Sequence, residues 1–223
     1  MYITPEYLAL IVVTLLIGCG ATWWVNHQLK KYTQVRASIG IPGAEMARRM
    51  LASHGIYNVE IRRGAPGQDH FDPRDNSITL DPEAYSGASI TAIATACHEA
   101  GHAVQFAQGY SPMKVRSALV PVVNLASNAW MFVLIIGFML ANMNLVTLAI
   151  VLYALAVVFQ LVTLPVEFNA SRRAMNYLST SGVMAQEQSG AWAVLRACAL
   201  TYVAAALTSL LQLLYLLSLR RED

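Results

Sequence analysis

Apolar residues gather in four long runs along this chain, set apart by two more polar stretches. Tyr7–Val25 (YLALIVVTLLIGCGATWWV), Ala118–Leu140, Leu145–Pro165 and a stretch within Trp192–Leu219 are each long enough to cross a bilayer, which takes about 20 mostly apolar residues. Only Ala141–Asn144 separates the second run from the third, so those two form an antiparallel hairpin. Trp23 and Trp24 close the first run where an aromatic belt would sit. The fourth has more apolar length than one crossing needs, which tilt absorbs.

Between the first and second runs the pattern changes to that of a water-facing unit. Gly43–Gly55 is an amphipathic helix with Met46, Met50 and Leu51 on one face and Glu45, Arg48 and Arg49 elsewhere. Tyr57–Arg62 alternates as a short strand, Gly64–Arg74 is a turn-rich loop, and Ser77–Leu80 is a second strand stopped by Asp81-Pro82. A helix then runs from Ser89 to Gln108 and ends at Gly109. The order helix, strand, strand, helix predicts Asn76–Leu80 as a sheet edge, able to take an extended peptide as an added strand. The expected division is an N-terminal transmembrane anchor at 1–26, an α+β segment at 27–117, a transmembrane hairpin at 118–165, an extrinsic helix at 166–191, and a C-terminal transmembrane helix and tail at 192–223.

Composition agrees with lipid as the main solvent. Apolar residues make up 56% and charged residues only 13%, against roughly 25% charged in a soluble domain. A net charge of +2 with no basic stripe excludes nucleic acid as a partner. Leu16-Ile17-Gly18-Cys19 resembles a lipobox, but Met1–Leu10 has no Lys or Arg and the apolar run continues past Cys19. The segment therefore reads as an uncleaved anchor. Lys30, Lys31, Arg36, Lys114, Arg116, Arg172, Arg173 and Arg196 flank the runs on one side. The positive-inside rule makes that side cytoplasmic, with both chain termini outside. Arg220 and Arg221 suit this topology better if the fourth helix is re-entrant or interfacial.

The chemistry-bearing motif is HEAGH at His98–His102. On a helix, residues four apart share a face, so both imidazoles project towards one point and suit two ligands of tetrahedral Zn²⁺. Glu99 stands beside them as general base towards water that zinc acidifies. Cys97 points about 100° away from His98, which disfavours it as a ligand, and Cys19 and Cys198 in their apolar runs read as small buried hydrophobes. A catalytic site needs a third protein ligand, and no histidine follows His102. Gln105 and Gln108 stand where the long metzincin pattern needs glycine and histidine. The remaining acids are Glu167, Glu187, Glu222 and Asp223. The last two fall at the tail and Glu187 on a loop, whereas the hairpin returns Glu167 to the side of HEAGH. Glu167 is the expected ligand, and His27, His54 and His70 are read as surface or capping residues. Arg172, Arg173 and Tyr177 are all candidates to stabilise an oxyanion. Asn124 and Asn128 are expected to hydrogen-bond a neighbouring helix within the membrane.

DHFDPRDNSITLDPEAYSG leading into HEAGHAVQ, then PVEFNASRRA and a closing apolar helix, resemble the YugP-like neutral zinc metallopeptidases of bacterial membranes over most of the chain. A more distant resemblance is to HtpX-type membrane proteases. These resemblances imply a mainly α integral membrane protein with about four transmembrane helices and a small α+β zincin-like extrinsic part. They imply Zn²⁺ held by His98, His102 and Glu167, with Glu99 as base, in a multi-pass protein of the bacterial inner membrane with its active site facing the cytoplasm. The implied substrates are proteins or peptides, membrane proteins among them, in quality control. The chain departs from the HtpX pattern at Ser171, where that pattern has aspartate, and Asn169 stands where close relatives are expected to carry an acid. A carboxylate behind a ligand histidine is therefore supplied from elsewhere or absent, and Asn169 is a candidate for that outer position. The alternative is a non-catalytic membrane scaffold or client-binding protein with a structural zinc site. An intramembrane protease of the site-2 type is disfavoured because 141–166 and 191–221 contain no acid. Oligomeric state is not legible.

Overall fold

The computed structural model describes residues 4–219; Arg220, Arg221, Glu222 and Asp223 lie outside the described residues. Helix α1 (Pro5–Thr33) starts where the Thr4 hydroxyl accepts the Tyr7 N–H at 3.3 Å and Pro5 takes the first helical position. Helix α2 (Gly43–Ser53) buries Met46, Ala47, Met50 and Leu51. Its Glu45, Arg48 and Arg49 pair with one another outside, at 2.7 and 3.0 Å. Gly55 ends it at φ +72°, a conformation that costs glycine little.

Three strands follow: β1 (Glu60–Arg63), β2 (His70–Asp72) and β3 (Ser77–Leu80). Their order is β1-β3-β2, with β1 parallel and β2 antiparallel to β3. This corrects two expectations. The loop read over 64–74 contains a strand, and Asn76–Leu80 is not an edge, because that strand covers the free side of β3. Three residues, His70-Phe71-Asp72, are too few to display a period of two among flanking turn residues. The edges are β1 and β2.

The short helix α3 (Pro82–Ser86) is capped by Asp81, and α4 (Ile90–Ala107) by Ser89, whose hydroxyl accepts the Ala92 N–H at 3.1 Å. Gly109 terminates α4 at φ +66°. Helix α5 (Ser111–Met139) turns at Ala141 and Asn142 into α6 (Met143–Thr180). The Asn142 side chain accepts the N–H groups of Asn144 and Leu145. Helix α7 (Ala185–Leu219) closes the chain.

Contrary to expectation, Pro165 does not end the third helix and 166–191 is not a separate one; α6 continues unbroken to Thr180. A proline removes one helical hydrogen bond, but Val166, Glu167, Ala170 and Ala174 beyond it are buried in the protein interior. That burial holds the helix on course. Helices α1, α5, α6 and α7 are long and apolar enough to span a membrane. The protein is thus mostly helical, with four candidate membrane-spanning helices and one small sheet. Asn124 and Asn128 differ from expectation: both are exposed on α5, and the Asn128 amide donates to the Asn124 carbonyl of its own helix at 2.9 Å.

Helix α4 is the axis of the core. It is buried on nearly every side and packs against α1, α2, α6 and α7 and against the sheet. Met46, Met50, Ile78, Leu80, Ile93, Val104, Leu178 and Leu195 form the core around it.

Candidate metal centre

One turn of α4 carries His98, Glu99 and His102, and α6 crosses this turn closely. A Cβ on Gly101 would stand 2.8 Å from the Ala170 carbonyl oxygen, so only glycine lets the two backbones approach this far. The approach brings Glu167, one turn before Ala170 on α6, to the histidines. Glu167 Oε2 lies 3.1 Å from His98 Nε2 and 3.4 Å from His102 Nε2, and the two Nε2 atoms are 3.2 Å apart. The edge of a tetrahedron with metal–ligand bonds of about 2.0–2.1 Å is roughly 3.3–3.4 Å. The three atoms therefore stand at the separations that tetrahedral zinc requires.

Hydrogen bonds behind His102 fix its tautomer. Gln105 Nε2 donates to the Val166 carbonyl at 2.8 Å and to Asn169 Oδ1 at 3.0 Å. Asn169 Oδ1 is itself identified as an acceptor by the Arg173 Nε–H donated to it at 2.8 Å. Gln105 Oε1 must then accept, and it faces His102 Nδ1 at 3.0 Å. His102 so carries its proton on Nδ1 and presents a lone pair at Nε2. His98 Nδ1 meets the Ser171 hydroxyl at 3.2 Å. With the proton of His98 likewise on Nδ1 and donated to the Ser171 hydroxyl, Nε2 of both histidines and Glu167 Oε2 are three acceptors facing one point, the arrangement a bound cation would satisfy. Glu167 is 1% exposed, and its Oε1 has no hydrogen-bond partner; Arg116 Nη1 is 3.5 Å away. A buried carboxylate left in this state fits metal binding. Two imidazoles and a carboxylate suit zinc, and among the described residues His98, His102 and Glu167 are the group able to hold a metal ion.

Glu99 is 8% exposed. Burial is the largest influence on its carboxyl group and pushes its pKa up to about 7. The charge of His98 opposes that rise, Glu167 and Asp69 add to it, and the Phe71 backbone N–H on β2 opposes it. The β2 edge thus lies beside Glu99.

The other candidates separate. Asn169 and Arg173 belong to the network behind His102, and Arg173 also donates to Gln108 at 2.7 Å. Arg172 is exposed on another face of α6, lining a cavity with α1 and α7. Tyr177 is ten residues beyond Glu167, about 15 Å along a helix, and packs on the core. Cys97 is fully buried in that core, whereas Cys19, expected to be buried, is exposed on α1 and Cys198 is half-buried. Glu187 is not on a loop but in the first turn of α7. Its carboxylate accepts from the Ser38 N–H and hydroxyl at 2.7 and 2.9 Å and from the Met184 N–H at 3.2 Å. The roles of Gln105, Ser171 and Arg116 were not legible as site roles. Helical spacing offered a signal for two of them, since Gln105 is three residues after His102 and Ser171 four after Glu167.

Residues 7–221 match the model of a family described as "Putative neutral zinc metallopeptidase". The chain is 42% identical over 212 residues to "Putative membrane protease YugP" of Bacillus subtilis (strain 168), covering 92% of this chain and 94% of that protein. No solved structure matches.

Proposed function

Since this chain belongs to the neutral zinc metallopeptidase family, we propose that it is a membrane-embedded endopeptidase whose zinc is held by His98, His102 and Glu167. The observation that carries this reading is the convergence of three ligand atoms within 3.1–3.4 Å of one another. Bound zinc supplies a Lewis acid that acidifies water and polarises a peptide carbonyl. Glu99 accepts the proton from the attacking water on its carboxylate and delivers it to the nitrogen of the leaving amine. A carboxyl group brought near neutrality by burial suits both transfers. The Gln105 and Ser171 contacts keep Nε2 of each histidine turned inward. The outer edge of β2, beside Glu99, is where an extended peptide would add as a strand.

The basic flanks of α1, α5, α6 and α7 support a cytoplasmic active site in the inner membrane. The donor set also weighs against the scaffold alternative. Structural zinc sites close with four protein ligands, and the group among the described residues has three members. Nor is α4 among the candidate spans, as a site-2-type protease would require. Purified full chain in detergent should contain stoichiometric zinc and cleave an unfolded protein. Glu99→Gln should keep the zinc and lose about 10²–10⁴-fold in rate. Equal cleavage by wild type and variant would overturn the mechanism.

A further inference from the structure

A cavity of about 560 Å³ opens between α1, α6 and α7, within the size range of small-molecule sites. Arg172 from α6 and Arg196 from α7 both line it. Each is exposed, and neither forms an ion pair among the described residues. Among the described residues no acidic side chain lines the cavity, so the two guanidinium groups present uncompensated positive charge to it. Their level in the chain is informative. Glu167 is the only charged residue between Arg116 and Arg172, and none follows Arg196 before Arg220. Both arginines therefore stand where uncharged, bilayer-length runs give way to polar sequence. Trp24 and Trp192, each 42% exposed, line the same cavity as aromatic residues do at a membrane interface. Leu200 and Val203 carry the lining further along α7 into its uncharged run.

A ligand matching this lining has an anionic head at the arginines and an apolar chain beyond them. We infer that the cavity binds one anionic phospholipid of the surrounding bilayer, its phosphate on Arg172 and Arg196 and an acyl chain along Leu200 and Val203. A peptide carboxylate offers the charge but not the chain that the deeper lining accepts. The inference rests on the membrane-spanning reading above and is independent of the catalytic one. The lipid would also stand close to the metal centre, because Ser171 lines the cavity and its hydroxyl meets His98.

Native mass spectrometry of the detergent-solubilised full chain tests this with dioleoyl phosphatidylglycerol, dioleoyl phosphatidylcholine and inorganic phosphate as separate probes. Each basic side chain at an anionic surface contributes about fivefold, so the pair predicts one phosphatidylglycerol bound roughly thirtyfold more tightly than phosphatidylcholine. Arg172→Gln with Arg196→Gln should reduce that preference to within about threefold. If the double variant does not fold, Arg196→Gln alone should lose about fivefold. Equal retention of the two lipids, an unchanged preference in the variants, or displacement by inorganic phosphate would overturn the inference. Zinc content measured on the same samples reports the metal centre separately. A chain that lacks zinc yet keeps the lipid preference counts against the peptidase reading and leaves this one standing.

Discussion

Replacing Gly101 by alanine adds one methyl group where α4 meets α6. The new Cβ would stand 2.8 Å from the Ala170 oxygen and 3.2 Å from its Cα, both backbone atoms. Ordinary contact begins at 3.4 Å, so the helices must part by about 0.6 Å, and neither atom can rotate aside. Overpacking of this kind costs about 1–3 kcal/mol, offset by up to about 1 kcal/mol from the better helix propensity of alanine. The net loss of stability is between about 0 and 3 kcal/mol. The effect on the metal is larger in proportion. Glu167 lies one turn from Ala170 and moves with it, whereas zinc sites tolerate only about 0.2 Å in ligand distance. Zinc affinity should fall by about 10–100-fold, the range seen when the shell behind a ligand is disturbed. Competition with a chromogenic chelator measures that affinity, and circular dichroism checks that helix content is retained. A Gly101→Ala protein with wild-type zinc affinity would refute the claim that this close approach places Glu167.

Glu167→Ala should lose zinc outright, while Glu187→Ala should keep it and unfold at lower temperature, since Ser38 and Met184 lose their shared acceptor; metal analysis and thermal melts of both distinguish them. Gln105→Leu leaves His102 Nδ1 without its partner and removes the second donor to the Val166 carbonyl, costing about 1–3 kcal/mol and about 10–100-fold in zinc affinity by the same two assays. In chelator-treated protein, folding favours protonated Glu99, whose carboxyl is raised from 4.5 to about 7. Its contribution to stability is complete below the unfolded value and is lost as pH rises through about 7. Melting temperature against pH should therefore fall more steeply for metal-free wild type than for metal-free Glu99→Gln, and parallel curves would refute this.

Much of the architecture is written locally. Apolar length fixed the four candidate spans, and caps and terminators fixed α4 to within a residue of Ser89–Gln108. The four-residue spacing of His98 and His102, the few acids that follow them, the hairpin that returns the chain to them and the family resemblance together pointed to Glu167, the residue now found beside them. These features depend on neighbours in sequence, through helical period and capping. What only the tertiary structure decided depends on partners distant in sequence. Pro165 looked like an end because a proline breaks an isolated helix, and burial beyond it overrides that cost. β3 looked like an edge because the three residues of β2 carry no pattern until they pair. The partners of the two histidines, Gln105 and Ser171, are uncharged side chains where an acid was sought. Gly101 has its meaning only in the contact with Ala170, since a glycine within a helix announces no close approach until the second helix arrives.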